Sequence, residues 1–155
     1  MRRLFLILLL LMAACPLSLA RGARDRAPKS ESATGAPEAT VSPGSLDFGD
    51  QVIGAISKAQ RITVTASGND KLYINSTTLA GDDWQQFRVT ADTCTGATLA
   101  PQKSCIIDVV CIPAKRGSLK TVLTIKDNAI DSSQRVTVSG NGINSVDVPP
   151  SESDF

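Results

Sequence analysis

Cysteine is the residue type with the most chemistry to offer in this chain of 155 residues, which contains four cysteines and no histidine. Histidine is the commonest general base and the commonest metal ligand, so the chain lacks the residue that most often fills either role. A nucleophilic cysteine also depends on a neighbouring base, which is usually histidine. The sequence therefore predicts that the protein is not an enzyme and has no catalytic, cofactor or metal site.

Two acidic groups could suggest calcium instead. They are the pair Asp82-Asp83 and the group Asp127, Asn128 and Asp131. Neither group has the ligand spacing of a dedicated calcium loop, and Asp and Asn are ordinary turn residues. We interpret both groups as turns.

Spacing decides which cysteines can form a disulfide. Cys105 and Cys111 lie six residues apart on one predicted strand, and at about 3.3 Å per residue their Cα atoms are about 20 Å apart. A disulfide needs Cα atoms within about 7 Å of each other, so these two cannot bond. Cys94 ends the preceding predicted strand, and residues 95–104 can turn back to it. We predict a Cys94–Cys105 disulfide.

Cys111 is left without a partner by this pairing. It shares a strand face with Ile107 and Val109, and a free cysteine in such a position commonly behaves as a small buried hydrophobe. An intermolecular disulfide and a nucleophilic role are the alternatives.

The fourth cysteine, Cys15, lies in a segment that resembles a targeting signal. In residues 1–20, Arg2 and Arg3 precede an apolar run of about eleven residues, which is shorter than the roughly 20 that cross a bilayer. Ser18-Leu19-Ala20 has the small residues of an ordinary signal-peptidase site. Alternatively, Leu11 to Cys15 resembles a bacterial lipobox, in which Cys15 would be lipidated.

Ordinary cleavage after Ala20 is the outcome that we favour, because Pro16, Ser18 and Ala20 fit the end of a signal peptide better than Met12 and Pro16 fit a lipobox. The protein is then secreted or periplasmic. In the alternative it is anchored in the bacterial envelope, and it contacts a membrane only through the lipid on Cys15.

The rest of the chain divides into three parts. Residues 21–40 are rich in Arg, Ala, Pro, Ser and Gly without an apolar period, which predicts a flexible linker. Residues 144–155 predict a disordered tail. The chain has 16 Lys and Arg against 15 Asp and Glu. Because these charges nearly cancel, the sequence predicts no basic surface for nucleic acid.

Residues 41–143 have the two-residue period of β-strands with one buried face. Seven strands follow from this pattern: 46–48, 61–66, 71–79, 87–92, 104–112, 118–126 and 135–139. About seven short strands in roughly 100 residues are typical of an immunoglobulin-like sandwich. The predicted fold class is therefore all-β, with a single seven-stranded immunoglobulin-like β-sandwich.

The same region resembles domains of the Hydin/ASH type, which in bacteria occur in choice-of-anchor D proteins and which are related to the major sperm protein and PapD-like sandwiches. The resemblance rests on Pro43 to Gln51 (PGSLDFGDQ), Asp92-Thr93-Cys94, Leu99-Ala100-Pro101, Ser104-Cys105, Ile112-Pro113, Leu123-Thr124-Ile125 and Ser139 to Gly142. It implies a protein–protein or cell-surface role and brings no catalytic residues, although a shared sandwich does not fix function.

Two residues depart from the family pattern. Gln102 stands where the family usually has glycine before the cysteine strand, which leaves the shape of that turn open. Cys111 stands where the family usually has phenylalanine, which predicts a smaller core at that position.

Trp84 and Phe87 follow a turn, and we expect both to anchor the core. If Trp84 were exposed at a loop tip, it would be a candidate recognition residue. The predicted function is an exported, non-catalytic protein-binding or structural module of the cell envelope or extracellular space, with an unidentified protein partner and an undetermined oligomeric state. A periplasmic chaperone-like client binder is the alternative, followed by a thiol-dependent enzyme.

Overall fold

The computed structural model describes residues 35–147, and they form two β-sheets that pack face to face. The strands are β1 Ala39–Ser42, β2 Ser45–Val52, β3 Gln60–Ala66, β4 Leu72–Ala80, β5 Phe87–Asp92, β6 Thr98–Leu99, β7 Ser104–Cys111, β8 Gly117–Asp127 and β9 Gln134–Ile143. Two short 3₁₀ helices, Trp84–Gln86 and Ser145–Asp147, complete the elements. The predicted all-β sandwich is confirmed.

The predicted number of strands is wrong, since the described residues contain nine. The first additional strand, β1, starts at Ala39, within the segment predicted as a linker, and pairs with β3. The second, β6, has two residues and pairs with Leu72 and Tyr73 of β4. Both are too short to show a two-residue period in the sequence, so only their pairing partners reveal them.

The sheets have the strand orders β1-β3-β7-β5 and β2-β9-β8-β4-β6. All pairs are antiparallel except β2 with β9. Strand β5 ends the first sheet, and β4 lies next to the end of the second, so the two strands face each other along one open side of the sandwich. This side carries the candidate site.

The core lies between the sheets and follows the alternation that the sequence shows. In β3, β8 and β9 every second side chain is buried. The fully buried side chains include Ile62, Val64, Leu123, Ile125, Val136 and Val138. At about 1.5–3 kcal/mol for each buried aliphatic side chain, this layer supplies most of the stabilisation that holds the sheets together.

Candidate binding site

The Cys94–Cys105 disulfide is present, as predicted, with the Cα atoms 5.1 Å apart. Both cysteines are buried in the core. The bond joins the chain just after β5 to the start of β7. A structural disulfide of this kind is typical of proteins that mature outside the cytoplasm. Cys15 and the signal segment lie outside the described residues.

Asp92 holds the turn that leads into the disulfide. Its carboxylate accepts hydrogen bonds from the backbone N–H of Cys94 at 2.7 Å and of Thr95 at 3.0 Å. It also accepts from the hydroxyl of Thr95 at 2.6 Å and from the hydroxyl of Thr77 on β4. The same carboxylate therefore links the end of β5 to β4.

These hydrogen bonds also set the acidity of Asp92. Partial burial by itself raises the pKa of the carboxyl group, but the bonds from Thr77, Thr95 and the backbone of Cys94 outweigh it, so the pKa lies below its usual value. Asp92 stays charged and keeps its hydrogen bonds at neutral pH.

Cys111 is a free thiol with no exposed surface. It lies beside Gly140, where an added Cβ would be 3.3 Å from the sulfur, and its backbone N–H donates to the hydroxyl of Ser57. Burial raises the pKa of the Cys111 thiol to about 11. A thiol that stays protonated at neutral pH is a poor nucleophile.

Trp84 does not anchor the core, contrary to the expectation for the pair Trp84 and Phe87. Phe87 is 4% exposed, whereas Trp84 is 49% exposed. The difference arises because Trp84 opens the 3₁₀ helix, whereas Phe87 is the first residue of β5 and points into the sandwich. The alternative role of Trp84, recognition, therefore stays a prediction.

The 3₁₀ helix is fixed to the loop between β7 and β8. Asp83, which precedes the helix, forms an ion pair with Lys115 at 2.6 Å and accepts from the backbone N–H of Lys120 at 3.0 Å. The hydrogen bond with Lys115 is the main reason that the pKa of Asp83 is lowered. The backbone carbonyl of Gln86 accepts a hydrogen bond from the backbone N–H of Ile112 at 2.7 Å. These contacts hold the 3₁₀ helix, and with it the backbone of Trp84, in place.

A groove of about 450 Å³ runs between β4 and β5 beside Trp84. Its lining residues come from the second half of β4, the 3₁₀ helix and the first half of β5: Thr78, Leu79, Trp84, Gln85, Phe87, Arg88 and Val89. Within residues 35–147, β5 pairs only with β7, and β6 covers β4 only at Leu72 and Tyr73. Both walls of the groove are therefore strand edges with backbone groups open to a further strand.

Sequence reasoning missed this groove. Trp84 was a weak signal for it, because one aromatic residue after a turn is compatible with both burial and display. The facing edges of β4 and β5 gave no signal, since they belong to different sheets.

Residues 35–147 contain no group of three or more His, Cys, Asp or Glu side chains arranged to hold a metal ion. In the same range, no helix has the length and apolar character to cross a membrane.

A family profile matches residues 36–135, that of ASH, "Abnormal spindle-like microcephaly-assoc'd, ASPM-SPD-2-Hydin". Because the match covers well over half of the chain, the protein belongs to the ASH family. The resemblance read from the sequence is confirmed. No curated protein matches the chain.

Solved structures share the fold at low sequence identity. The chain is similar to the secreted serine protease VesC from Vibrio cholerae (TM-score 0.50, 18% identity, 62% of this chain and 21% of VesC). It is also similar to the ASH / PapD-like domain 7 of human CEP192 (TM-score 0.51, 14% identity, 69% of this chain and 86% of that chain). A third similar protein comes from Porphyromonas gingivalis W83 (TM-score 0.53, 18% identity, 69% of this chain and 46% of that chain). The chain thus spans about a fifth of VesC, and these similarities concern the fold.

Proposed function

We propose that this protein is an exported, non-catalytic binding module that takes an extended segment of a partner protein into the groove between β4 and β5. The observation that carries the proposal is the half-exposed Trp84 at one end of a groove whose walls are two open strand edges. The family and the sandwich fold support a binding role, since neither brings catalytic residues to this chain.

An extended segment suits the groove because of the edge of β5. A strand edge presents unpaired N–H and C=O groups, and a peptide that adds to it gains main-chain hydrogen bonds. Alternate side chains of such a peptide would point into the groove, against Leu79 and Val89. Affinity would then come mainly from the backbone, and specificity from the groove.

Trp84 would supply the anchor. Aromatic side chains dominate the energetics of many interfaces because they bury a large area with few rotatable bonds. Covering the exposed half of an indole removes about 100 Å² from water, which at about 25 cal/mol per Å² is worth about 2–3 kcal/mol. The ion pair between Asp83 and Lys115 keeps the helix in place before binding, so little conformational entropy is lost.

Export is the second part of the proposal. The disulfide and the predicted signal segment both favour a secreted or periplasmic protein. Lipid anchoring through Cys15 is the alternative form, and the mass of the mature N-terminus separates the two: cleavage after Ala20 leaves an unmodified chain, whereas lipidation leaves an acylated Cys15.

A thiol-dependent enzyme is a weaker candidate. Catalysis would need the Cys111 thiolate to reach a substrate, yet the side chain is buried and its pKa is raised to about 11. The buried thiol favours a role in packing.

Selection from a random peptide library displayed on phage tests the binding role. Peptides selected on the wild-type protein should bind the Trp84→Ala variant at least tenfold more weakly, because the anchor is lost. Ile130→Ala is the matched control, since Ile130 is an exposed hydrophobic residue on the loop between β8 and β9. Its affinity should equal that of the wild type. The proposal fails if no peptide is enriched, or if enriched peptides bind Trp84→Ala as tightly as wild type.

A further inference from the structure

We propose that the partner segment taken up beside Trp84 carries an acidic residue between two apolar residues, with the acidic side chain against Arg88 on the edge of β5. This partner chemistry rests on the proposed function, in which the groove between β4 and β5 binds an extended segment of another protein. The described residues of β5 determine which side chains of that segment enter the groove.

The open edge of β5 presents the backbone groups of Phe87 and Val89. In an antiparallel pair, residues alternate between those that bond to the neighbouring strand and those whose backbone groups point away. The carbonyl of Gln86 accepts from Ile112, which follows β7, so Gln86 and, two residues on, Arg88 point their backbone groups at β7. The N–H of Phe87 donates to the carbonyl of the first residue of the 3₁₀ helix. The carbonyl of Phe87 and both backbone groups of Val89 therefore face an added strand.

The side chains of β5 alternate between the two faces of the sheet. Phe87 is buried, Arg88 is exposed, and Val89 packs against the core. In an added strand, each side chain lies on the same face as the residue opposite it. The residues opposite Phe87 and Val89 then point into the groove towards Leu79, and the residue between them points outwards beside Arg88. This order holds for either direction of the added strand, because it is symmetrical about the central residue.

Arg88 carries the charge of the groove. It is the one charged residue among the described residues that line the groove, where the other lining residues are apolar or neutral. Within residues 35–147 its guanidinium has no ion-pair or hydrogen-bond partner. The groove therefore presents an apolar wall with a single uncompensated positive charge at its outer rim.

The acidic side chains of the same sheet are already engaged. Asp108 lies on β7, next to β5, and its carboxylate accepts two hydrogen bonds from Arg61, of 2.8 and 2.9 Å. Asp92, at the other end of β5, accepts from the hydroxyls of two threonines and from two backbone N–H groups. Neither carboxylate is paired with Arg88.

The charges at the 3₁₀ helix compensate one another. Asp83 forms an ion pair with Lys115 at 2.6 Å. Asp82 and Lys120 are both exposed at this end and have opposite charges. All four residues lie outside the groove lining, and their charges sum to zero. The positive charge of Arg88 is therefore the one that a partner residue can compensate within the groove.

A carboxylate is the group that best complements this guanidinium, because arginine presents its donors in a planar fork that matches two carboxylate oxygens. Opposite charges directly across a strand pair stabilise the pairing, and like charges there destabilise it. An Asp or Glu opposite Arg88 is therefore favoured, and a Lys or Arg is disfavoured. Because the contact is exposed, its contribution depends on salt.

The same charge disfavours a second copy of this chain as the occupant. Two β5 strands that pair through the groups of Phe87 and Val89 can bring their Arg88 side chains directly opposite each other. Like charges in that position destabilise the pair, and charged residues on edge strands commonly prevent self-pairing in this way. A strand with an acidic residue at the central position has the opposite effect.

Peptide selection identifies the residue that lies opposite Arg88. A random peptide library displayed on phage is selected in parallel on the wild type, on Arg88→Glu and on Arg135→Glu. Arg135 is exposed on β9, in the other sheet, so its reversal matches the charge change away from the groove. We expect apolar–acidic–apolar peptides from the wild type and from Arg135→Glu, and a basic central residue from Arg88→Glu.

Affinities of the most enriched peptide check the contact itself. Replacing its central acidic residue by lysine should weaken binding to the wild type about tenfold, because an attraction across the strand pair becomes a repulsion. The lysine peptide should regain most of that affinity on Arg88→Glu. Arg88→Gln removes the charge without reversing it, so it should bind both peptides with similar affinity. This variant carries the test if Arg88→Glu does not fold.

Methylation of the peptide backbone tests the pairing with β5. The N–H groups of an added strand point alternately towards β5 and away from it. Methylation at the central residue and methylation at its apolar neighbours should therefore differ, with one of the two abolishing binding and the other tolerated. Equal effects at both positions would show that the segment does not pair with β5.

The outcomes separate this inference from the binding function. Peptides that need Trp84 but show no acidic preference, or the same preference on Arg88→Glu as on the wild type, would overturn the inference and leave the binding function intact. Self-association of Arg88→Gln with an unchanged peptide preference would assign Arg88 to edge protection alone, which also overturns it. A library that yields no peptide on the wild type would refute the binding function itself.

Discussion

The two ends of the space between β4 and β5 are built in opposite ways. At one end the Asp92 carboxylate links β5 to Thr77 of β4, β6 pairs with β4, and the disulfide joins the chain after β5 to the start of β7. At the other end the strands separate around the groove, and the only aromatic residue there with large exposure among the lining residues is Trp84. One side of the same sandwich is thus closed at one end and left open at the other.

Energetically, the closed end uses bonds that constrain the chain, whereas the open end leaves backbone groups unpaired. Local stability follows such differences, and binding surfaces are commonly drawn from the less constrained regions. Changes at the closed end should therefore alter the free energy of unfolding, and changes at the open end should alter binding.

Removing the disulfide should have the largest effect. The double variant Cys94→Ala/Cys105→Ala releases a loop whose ends are 11 residues apart, and loop entropy puts the loss at about 3 kcal/mol. Urea unfolding of the oxidised wild type and the variant measures the difference. A loss below about 1 kcal/mol would show that Asp92 and β6 hold the closed end without the disulfide.

Removing the Asp92 carboxylate should cost about 1–2 kcal/mol, since several donors lose a charged acceptor. The folded-state pKa of Asp92 is lowered, so its stabilisation is present above the unfolded pKa of about 3.9 and is lost as the pH falls through the folded value. The difference in the free energy of unfolding between wild type and Asp92→Ala should therefore disappear at acid pH.

Asp82→Ala is the matched control at the open end, where Asp82 is exposed. Thermal unfolding at pH 7 and at pH 3 should show little change in this variant. An Asp92→Ala gap that stays constant across this range would contradict the assigned role of the carboxylate.

Glycine at position 102 should stabilise the closed end. Gln102, in the turn between β6 and β7, has a φ of 66°, a left-handed conformation that costs a residue with a Cβ about 1–2 kcal/mol. Part of that gain is offset by the greater freedom of glycine in the unfolded chain, so Gln102→Gly should gain about 0.5–1 kcal/mol. Gln102→Ala should gain nothing, and equal stabilities of the two variants in urea would refute the explanation.

The smallest change in stability is expected at the open end. Trp84→Ala should alter the free energy of unfolding by less than about 0.5 kcal/mol, because the ring is half-exposed and its helix is held by Asp83 and Gln86. Thermal unfolding, compared with Ile130→Ala, measures this. A decrease of more than about 2 kcal/mol in the free energy of unfolding would show that Trp84 stabilises the core. The two ends of the space between β4 and β5 would then not differ in their contribution to stability.

The family pattern also explains the turn at Gln102. The sequence left the shape of this turn open, because Gln102 stands where the family usually has glycine. The structure keeps the left-handed backbone there, so the fold imposed the conformation on a residue that does not favour it.

The amino-acid sequence by itself determined the sandwich class, the core strands and the cysteine pairing. These features depend on local periodicity and on distances along one strand, which alternating residues such as Ile62 and Val64 reveal directly. The spacing of Cys105 and Cys111 was sufficient to exclude one bond and to favour Cys94–Cys105.

Tertiary structure alone decided the groove between β4 and β5, the strand β1 and the exposure of Trp84. β1 exists because β3 offers it a pairing edge, which four residues cannot signal by themselves. Trp84 is exposed because its helix is fixed by Lys115 and Lys120, more than 30 positions further along the chain. The groove needs β4 and β5 to lie on the same side of two different sheets, and the order of strands in a sheet leaves no period in the sequence.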